Sequence, residues 1–390
     1  MTGGPDELFG TGLAAATSAF WLWVAWNSRQ ACRRPPSLAD ADLPPGAPLP
    51  SLALIAAAKD EGEHIEAAAR SLLAQEYPGV RVIVVDDRST DATGAILARL
   101  AAAESRLEVL RIDALPDGWI GKCHALAQGA ARAGTDWILF TDGDVVMAPD
   151  AARRAVALAL RDGYDHIAAG PDIAAETLGE RMFVGYFLAM FHASQGVWKA
   201  SDPRSREFVG IGAFNLVRRE AYRRAGGHEA IRYELLDDMA LGKILKRSGA
   251  RQTLARHGGL LRTRWHAGVR GLVRGIEKNA FAAARYSPAF MTAAIGALLV
   301  FTCVPYVGWF LPWPAARGFT ALAWAGVLLS YAWSGGTGGI RAWQGLLLLP
   351  GGLVYNYAMA RSMLIALARG AVRWRGTSYP LRDLRSRQVY

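Results

Sequence analysis

The sequence predicts an α/β domain with a mostly parallel sheet, held between transmembrane helices near its two ends. Three observations predict it. Strand-like and helix-like patterns alternate from Ser51 onwards, three strand-like runs end on acidic residues, and long uncharged stretches lie near the beginning and again from Ala289. Alternation of this kind builds a parallel sheet. Ligands bind such sheets beyond the C-terminal ends of the strands, where the acidic residues fall. Uncharged runs of roughly twenty residues are long enough to cross a bilayer.

Composition narrows the class. The chain has 390 residues, 52% of them hydrophobic, with 13 Trp and a formal net charge of +10. That combination suits a membrane protein with a basic cytoplasmic face. Nucleic acid is the rival reading of the charge, and it would require salt-dependent binding to DNA or RNA. No zinc spacing, recognition-helix pattern or RNA-binding aromatic motif supports it, so no nucleic-acid partner is expected. Cys32, Cys123 and Cys303 form no Cys-x-x-Cys pair, and neither a disulfide nor a structural zinc is inferred.

Leu8 to Trp26 is uncharged, ends in tryptophans and is followed by Arg29, Arg33 and Arg34. A cleavable signal would carry its charge in front, so this run reads as an anchor that leaves the following chain in the cytoplasm. Pro35 to Pro50 reads as a semi-rigid linker. Leu52–Ala57 and Val80–Val85 are apolar strand patterns that run into Lys59-Asp60-Glu61 and Asp86-Asp87. A third, Trp137–Phe140, ends on Asp142-Gly143-Asp144. Side chains two apart on a strand share a face, so Asp142 and Asp144 can reach one cation, and hard carboxylates suit Mg²⁺ or Mn²⁺. An isolated Asp-x-Asp is usually no more than a polar turn; the neighbouring acidic ends set this one apart.

Two further stretches leave alternatives open. Lys122, at a glycine-rich helix start but without Walker spacing, suits a diphosphate as a point charge. A solvated loop lysine fits the same stretch. Asp237-Asp238 suits a catalytic base beside a like charge, and equally an N-cap cluster for the helix pattern Met239–Leu245.

Taken together, these residues resemble the family 2 glycosyltransferases, which have a GT-A fold. The matching pieces are Ala57-Ala58-Lys59-Asp60-Glu61, Val84–Asp91, Gly121-Lys122 with Ala125-Leu126, Thr141–Asp144 and Asp237-Asp238. They are most similar to the membrane-bound, lipid-directed members: ceramide glucosyltransferase-like, hopanoid-associated and carotenoid-acid glycosyltransferases. The resemblance implies a nucleotide-sugar donor, with Glu61, Asp86 and Asp87 at the nucleoside and Lys122 near the phosphates. It implies that Asp142 and Asp144 bind sugar, diphosphate and metal. It also implies inversion at the anomeric carbon, with Asp238 as base beside Asp237.

The resemblance places Phe208–Asn215, including Gly212 and Asn215, on the acceptor side. Many processive and lipid-directed members carry Gln/Arg-x-x-Arg-Trp after the base; this chain has Arg264-Trp265 but Leu261 at the first position. Trp374-Arg375-Gly376-Thr377-Ser378-Tyr379 resembles the aromatic-basic tail of the lipid-directed members and is expected to fold back towards the site. Met182–Phe191 is read as an interfacial segment rather than a buried helix. His228, alone after two glycines, is read as structural. Arg270, Arg274, Lys278 and Arg285 recur at helical spacing, a stripe suited to anionic membrane lipids.

The expected organisation is an anchor over 1–34, a linker over 35–50, a GT-A domain over 51–286, a membrane region over 287–368 and a basic cytoplasmic tail over 369–390. Within the membrane region, segments are expected at Ala289–Leu311, Gly318–Trp333 and Trp343–Ala368, with a Gly-rich loop at Ser334–Gly339. Pro350-Gly351-Gly352 is expected to break the last segment. The function expected is a monomeric, multi-pass enzyme of a bacterial-type inner membrane. It would move one sugar, most simply from a UDP-hexose, to a lipid acceptor at the cytoplasmic leaflet. Two alternatives are a processive polysaccharide synthase, disfavoured by Leu261, and an idle membrane scaffold with a nucleotide-sugar-binding fold.

Overall fold

Leu52–Ala58 contains no polar residue, and it forms β1, a strand buried along almost its whole length. In the computed structural model, which describes residues 4–44, 46–336 and 338–390, it is followed by β2 (Arg81–Asp87), β3 (Leu107–Ile112) and β4 (Trp137–Asp142). Next come the short β5 (Val146–Met147), β6 (His166–Ala169), β7 (Asp172–Ile173), β8 (Asn215–Arg218), β9 (Gln252–Ala255) and β10 (Leu261–Thr263). The main sheet has the order β3-β2-β1-β4-β8-β6-β9. β8 runs antiparallel to both neighbours, and the other pairings are parallel.

Branched and small apolar side chains fill both faces of this sheet. Leu54, Val84 and Leu139 share one core with Leu72 and Val156. Ile55, Ile83 and Phe140 share the other with Leu126 and Leu241. Each such side chain stabilises the fold by roughly 1.5–3 kcal/mol relative to exposure. The chain leaves β1 towards β2 and β3 on one side and has β4 on the other. A crevice therefore opens where the C-terminal ends of β1 and β4 part. Ala57 pairs with Asp142 at that edge. Gly143 lies so close that a Cβ there would sit 3.2 Å from the Ala57 carbonyl oxygen.

A second sheet, β5-β10-β7, stands beside the crevice and brings Thr263 to Asp144. A two-stranded hairpin, β11 (Ala371–Trp374) and β12 (Thr377–Pro380), turns through Arg375 and Gly376 with φ of 46° and 81°. Positive φ at both turn residues matches the twist of a tight hairpin, and glycine at the second relieves the strain there.

Two helices, Pro5–Arg33 and Pro288–Phe310, are long and apolar enough to cross a membrane by length and composition. Pro5–Arg33 runs along Pro314–Trp333 at a crossing where a Cβ on Gly326 would come 2.6 Å from the Trp21 backbone carbon. The Trp21 indole N–H donates to the Phe301 carbonyl at 2.8 Å.

Three expectations change here. The helix Leu348–Arg369 is continuous through Pro350-Gly351-Gly352, because Pro350 lies in its first turn, where no i−4 hydrogen bond is required. The segment Met182–Phe191 lies within the helix Leu178–Ser194 and is a packed core element. Phe183, Val184 and Tyr186 are buried in a core shared with the helices Pro5–Arg33, Pro314–Trp333 and Leu348–Arg369, and Tyr186 bonds Thr302 at 2.9 Å. The stretch 35–50 is docked rather than free. Leu38 donates to the Arg256 carbonyl at 2.9 Å, Arg256 donates back to Pro36 at 2.8 Å, and Leu38 and Ala41 enter the core. Residue 45 of that stretch and residue 337 of the expected Gly-rich loop lie outside the described residues.

Candidate active site

The acidic strand ends, the start of the helix Gly121–Ala133 and the start of the helix Asp237–Arg247 meet in one cavity of ≈ 1860 Å³. Lys122 is its electrostatic centre. Its ammonium lies 2.7 Å from Asp142 Oδ1 and 3.2 Å from Asp237 Oδ2. Burial opposes its charge, but Asp142, Asp237 and Asp238 outweigh that and hold its pKa well above the ordinary lysine value. The same contact holds Asp142 below the usual carboxylate range against the opposing effect of burial. Of the two readings of this lysine, the structure excludes the solvated one.

Asp238 lines the same cavity. The Gly212 N–H donates to Asp238 Oδ2 at 2.7 Å, and the Met239 N–H donates to Oδ1 at 2.8 Å. Burial, and then the charge of Asp237, push its pKa up to about 6. The N-cap of the helix is Leu236, which makes no side-chain cap bond, so Asp237 and Asp238 are residues of the first turn rather than caps; Asp238 Oδ1 accepts from its neighbour's N–H while Oδ2 faces the cavity loop. That loop requires its glycines. A Cβ on Gly210 would fall 1.8 Å from the Asp238 carbonyl oxygen, and one on Gly212 would fall 2.8 Å from Asp142 Oδ2.

Asp144 accepts from the Thr263 hydroxyl at 3.1 Å. Burial, followed by the charges of Asp142 and Glu61, raises its pKa to about 6. Among the described residues no group of three or more His, Cys, Asp or Glu side chains forms a closed metal cage. A site with two carboxylates still fits Mg²⁺ or Mn²⁺, which take further ligands from phosphates and water. The crowding that disfavours a charged Asp144 is what a cation would relieve.

Glu61 and Asp87 line the cavity; Asp86 does not. Asp86 is buried and bonded to the Ser89 N–H at 3.0 Å and to Arg111 at 3.1 Å, so its carboxylate supports the loop. Asp87 is gripped by Arg88 through bonds of 2.7 and 3.0 Å. Gly121 must lack a side chain there, because a Cβ would fall 2.3 Å from Asp87 Oδ2.

Of the residues expected on the acceptor side, Gly212, Arg264, Trp265 and Trp374 line the cavity. Arg264 pairs with Glu176 at 2.9 Å, and Trp265 packs on Phe187 with ring centroids 4.8 Å apart. Asn215 sits underneath. It is buried, exchanges hydrogen bonds with the Ile211 backbone at 3.2 and 2.6 Å, and contacts His166, which makes it a support of the loop. His228 lies apart from the chemistry, bonded to the Tyr222 hydroxyl at 2.9 Å.

The hairpin of the tail lies against the site. Arg375 pairs with Glu61 and donates to the Lys59 carbonyl at 2.6 Å, while the Gly121 N–H donates to the Tyr379 hydroxyl at 3.3 Å. The basic stripe on the helix Gly268–Ala283 is divided. Arg270 is exposed, but Lys278 turns into the cavity and rests 3.9 Å from the centre of the Trp374 ring. Sequence reasoning missed Thr263 and misplaced Lys278; neither belongs to a local pattern that points at the crevice.

A mostly parallel sheet with three acidic strand ends and a buried lysine at its switch point has the architecture of the GT-A fold. The profile of the family described as Glycosyl transferase family 2 matches residues 54–226, and that segment is similar to this family. The 4,4'-diaponeurosporenoate glycosyltransferase of Staphylococcus aureus strain bovine RF122 / ET3-1 is 29% identical over 196 residues, covering 49% of this chain and 50% of that protein. The same enzyme from strain USA300 is 28% identical over the same shares. The chain thus matches about half the length of these curated relatives. A mannosyltransferase from Pyrobaculum calidifontis, solved with GDP-Man and Mn²⁺, superposes with a TM-score of 0.50 at 19% identity, over 93% of this chain and 98% of that one. That likeness concerns the fold.

Proposed function

We propose that the protein is an inverting glycosyltransferase that moves a single sugar from a nucleotide-sugar, most simply a UDP-hexose, to a lipid-like acceptor at the membrane surface. The observation that carries this reading is the placement of Lys122 between Asp142 and Asp237, with Asp238 beside them in the same cavity. Part of that cavity is apolar, lined by Phe187, Phe191, Trp265 and Tyr355, and Phe187, Trp265 and Tyr355 pack against the core of the apolar helices. The curated relatives are named for diaponeurosporenoate as the group they glycosylate, and an acceptor of that carotenoid-acid kind suits such a lining.

In this reading Glu61 and Asp87 hold the nucleoside, and Lys122 and Asp142 orient the sugar and diphosphate. An acceptor hydroxyl or carboxyl enters from the apolar end. Its oxygen forms the new bond to the anomeric carbon as the bond to the diphosphate breaks, and the electron pair leaves with the diphosphate. Attack opposite the leaving group inverts the centre. Asp238, held by Gly212, takes the proton of an acceptor hydroxyl. Asp144 and Asp142 would hold Mg²⁺ or Mn²⁺, which supplies positive charge to the departing diphosphate. The two apolar helices keep the domain at the membrane, with the catalytic face towards the cytoplasm.

The test is transfer of label from a panel of nucleotide-sugars, UDP-hexoses and GDP-mannose included, into the lipid extract of native membranes. The full chain purified in detergent should use one donor with Mn²⁺, and the Asp238→Asn variant should not. Failure to bind any donor by calorimetry would overturn the reading.

A further inference from the structure

Lys122, Lys278 and Arg375 are among the cations that line the cavity, and of these three only Lys122 lies in the matched family segment, residues 54–226. Lys122 is neutralised by Asp142 and Asp237. Lys278 comes from the helix Gly268–Ala283. Arg375 comes from the hairpin turn, where its neighbour Trp374 supplies the ring on which the Lys278 ammonium rests at 3.9 Å. Among the described residues, no carboxylate lies within 4.0 Å of Lys278. The charges that act on it are, in order of effect, Lys122, which repels, Asp237, which attracts, Arg375, which repels, and Asp142, which attracts. A half-buried ammonium without an ion pair, held on an aromatic face beside two other cations, is an arrangement whose missing component is an anion.

We propose that Lys278 and Arg375 bind the diphosphate of the nucleotide-sugar and stabilise it as it departs, so that the C-terminal part of the chain completes the donor site. The proposal rests on the donor reading given above. In the transfer step the bond between the anomeric carbon and the diphosphate oxygen breaks and its electron pair passes to the diphosphate. The charge that develops there falls between Lys122, Lys278 and Arg375, while the acceptor proton goes to Asp238. Arg375 already bridges Glu61 and the Lys59 carbonyl, and this fixes the turn over the end of β1. Its planar guanidinium suits phosphate oxygens, and Lys278 serves as a point charge. Burial and the neighbouring Lys122 push the Lys278 pKa down to about 8, the direction expected of a cation whose counter-charge is supplied by a ligand.

The experiment compares binding of UDP and GDP with binding of uridine and guanosine by calorimetry. It uses the full-length wild type, Lys278→Met, Lys278→Arg and Arg375→Ala. The expected result is that Lys278→Met and Arg375→Ala weaken the diphosphate by roughly ten- to a hundredfold. Binding of the nucleoside should be unchanged, and Lys278→Arg should recover most of the loss. Wild-type diphosphate affinity in both Lys278→Met and Arg375→Ala would overturn the proposal. An equal loss of nucleoside and diphosphate would also overturn it, since that pattern belongs to a residue that only props the hairpin. If the wild type binds neither diphosphate, the donor reading itself is wrong, and this proposal falls with it.

Discussion

Asp238 and Gly212 are joined by a 2.7 Å hydrogen bond in which a backbone N–H holds the carboxylate proposed as the base. The bond fixes one oxygen of Asp238 at the cavity edge. In Asp238→Asn the amide can keep the contact with Gly212 through its oxygen but cannot accept a proton. Transfer is expected to fall roughly 10²–10⁴-fold while donor affinity stays near wild type. Turnover at the wild-type rate would remove Asp238 from the mechanism.

The pH profile should report the same group. Burial and Asp237 raise Asp238 to about 6, so the carboxylate is neutral below that pH and competent as a base above it. Activity should therefore rise through pH 6 and level off above pH 7. Asp144, also raised to about 6, adds a second limb in the same direction because protons compete there with a cation. Saturating Mn²⁺ should suppress that limb and leave the one due to Asp238. A profile that is flat from pH 5 to 8 would contradict both assignments.

Metal removal gives a separate check. Chelation with EDTA is expected to abolish transfer, and Mn²⁺ or Mg²⁺ to restore it, because Asp142 and Asp144 are the acidic pair at the switch point. Asp144→Ala should show little activity at any metal concentration. Full activity in EDTA would rule out the cation role.

The loop that carries Gly212 is set by backbone contact. A Cβ on Gly210 would meet the Asp238 carbonyl oxygen at 1.8 Å, and one on Gly242 would meet the Val209 carbonyl oxygen at 2.0 Å. Neither partner is a flexible side chain. Each alanine substitution should cost about 1–3 kcal/mol, and Gly210→Ala should also lower activity by displacing Asp238. Thermal unfolding of the purified variants measures the first effect; an unchanged Tm with full activity would show that the loop has other freedom.

Lys122→Met tests the centre of the site. Removing one partner of a buried ionic cluster leaves Asp142 and Asp237 facing each other, which is expected to destabilise by roughly 3–5 kcal/mol. Donor binding should fail as well. A variant of wild-type stability that binds UDP normally would mean that Lys122 serves neither purpose.

The sequence by itself determined the sheet and most of the acidic lining of the cavity. Unbroken apolar runs at Leu52–Ala57, Val80–Val85 and Trp137–Phe140 have few alternatives to buried parallel strands. The carboxylates that end those strands fall at one edge because of strand direction alone, so Glu61, Asp87, Asp142 and Asp144 were legible. Tertiary structure decided what a local pattern cannot encode. Asp86 and Asp87 are adjacent in sequence, yet Ser89 and Arg111 claim the first and leave the second at the cavity. Asn215 belongs to a motif on the acceptor side but serves as the peg beneath its loop. Lys278 has the spacing of a membrane-facing stripe, and only the hairpin, folding back from almost a hundred residues further along the chain, supplies Trp374 and turns that ammonium into a cavity residue. Strand periodicity is a property of neighbouring residues; the environment of a charge is set by whatever distant segments pack around it.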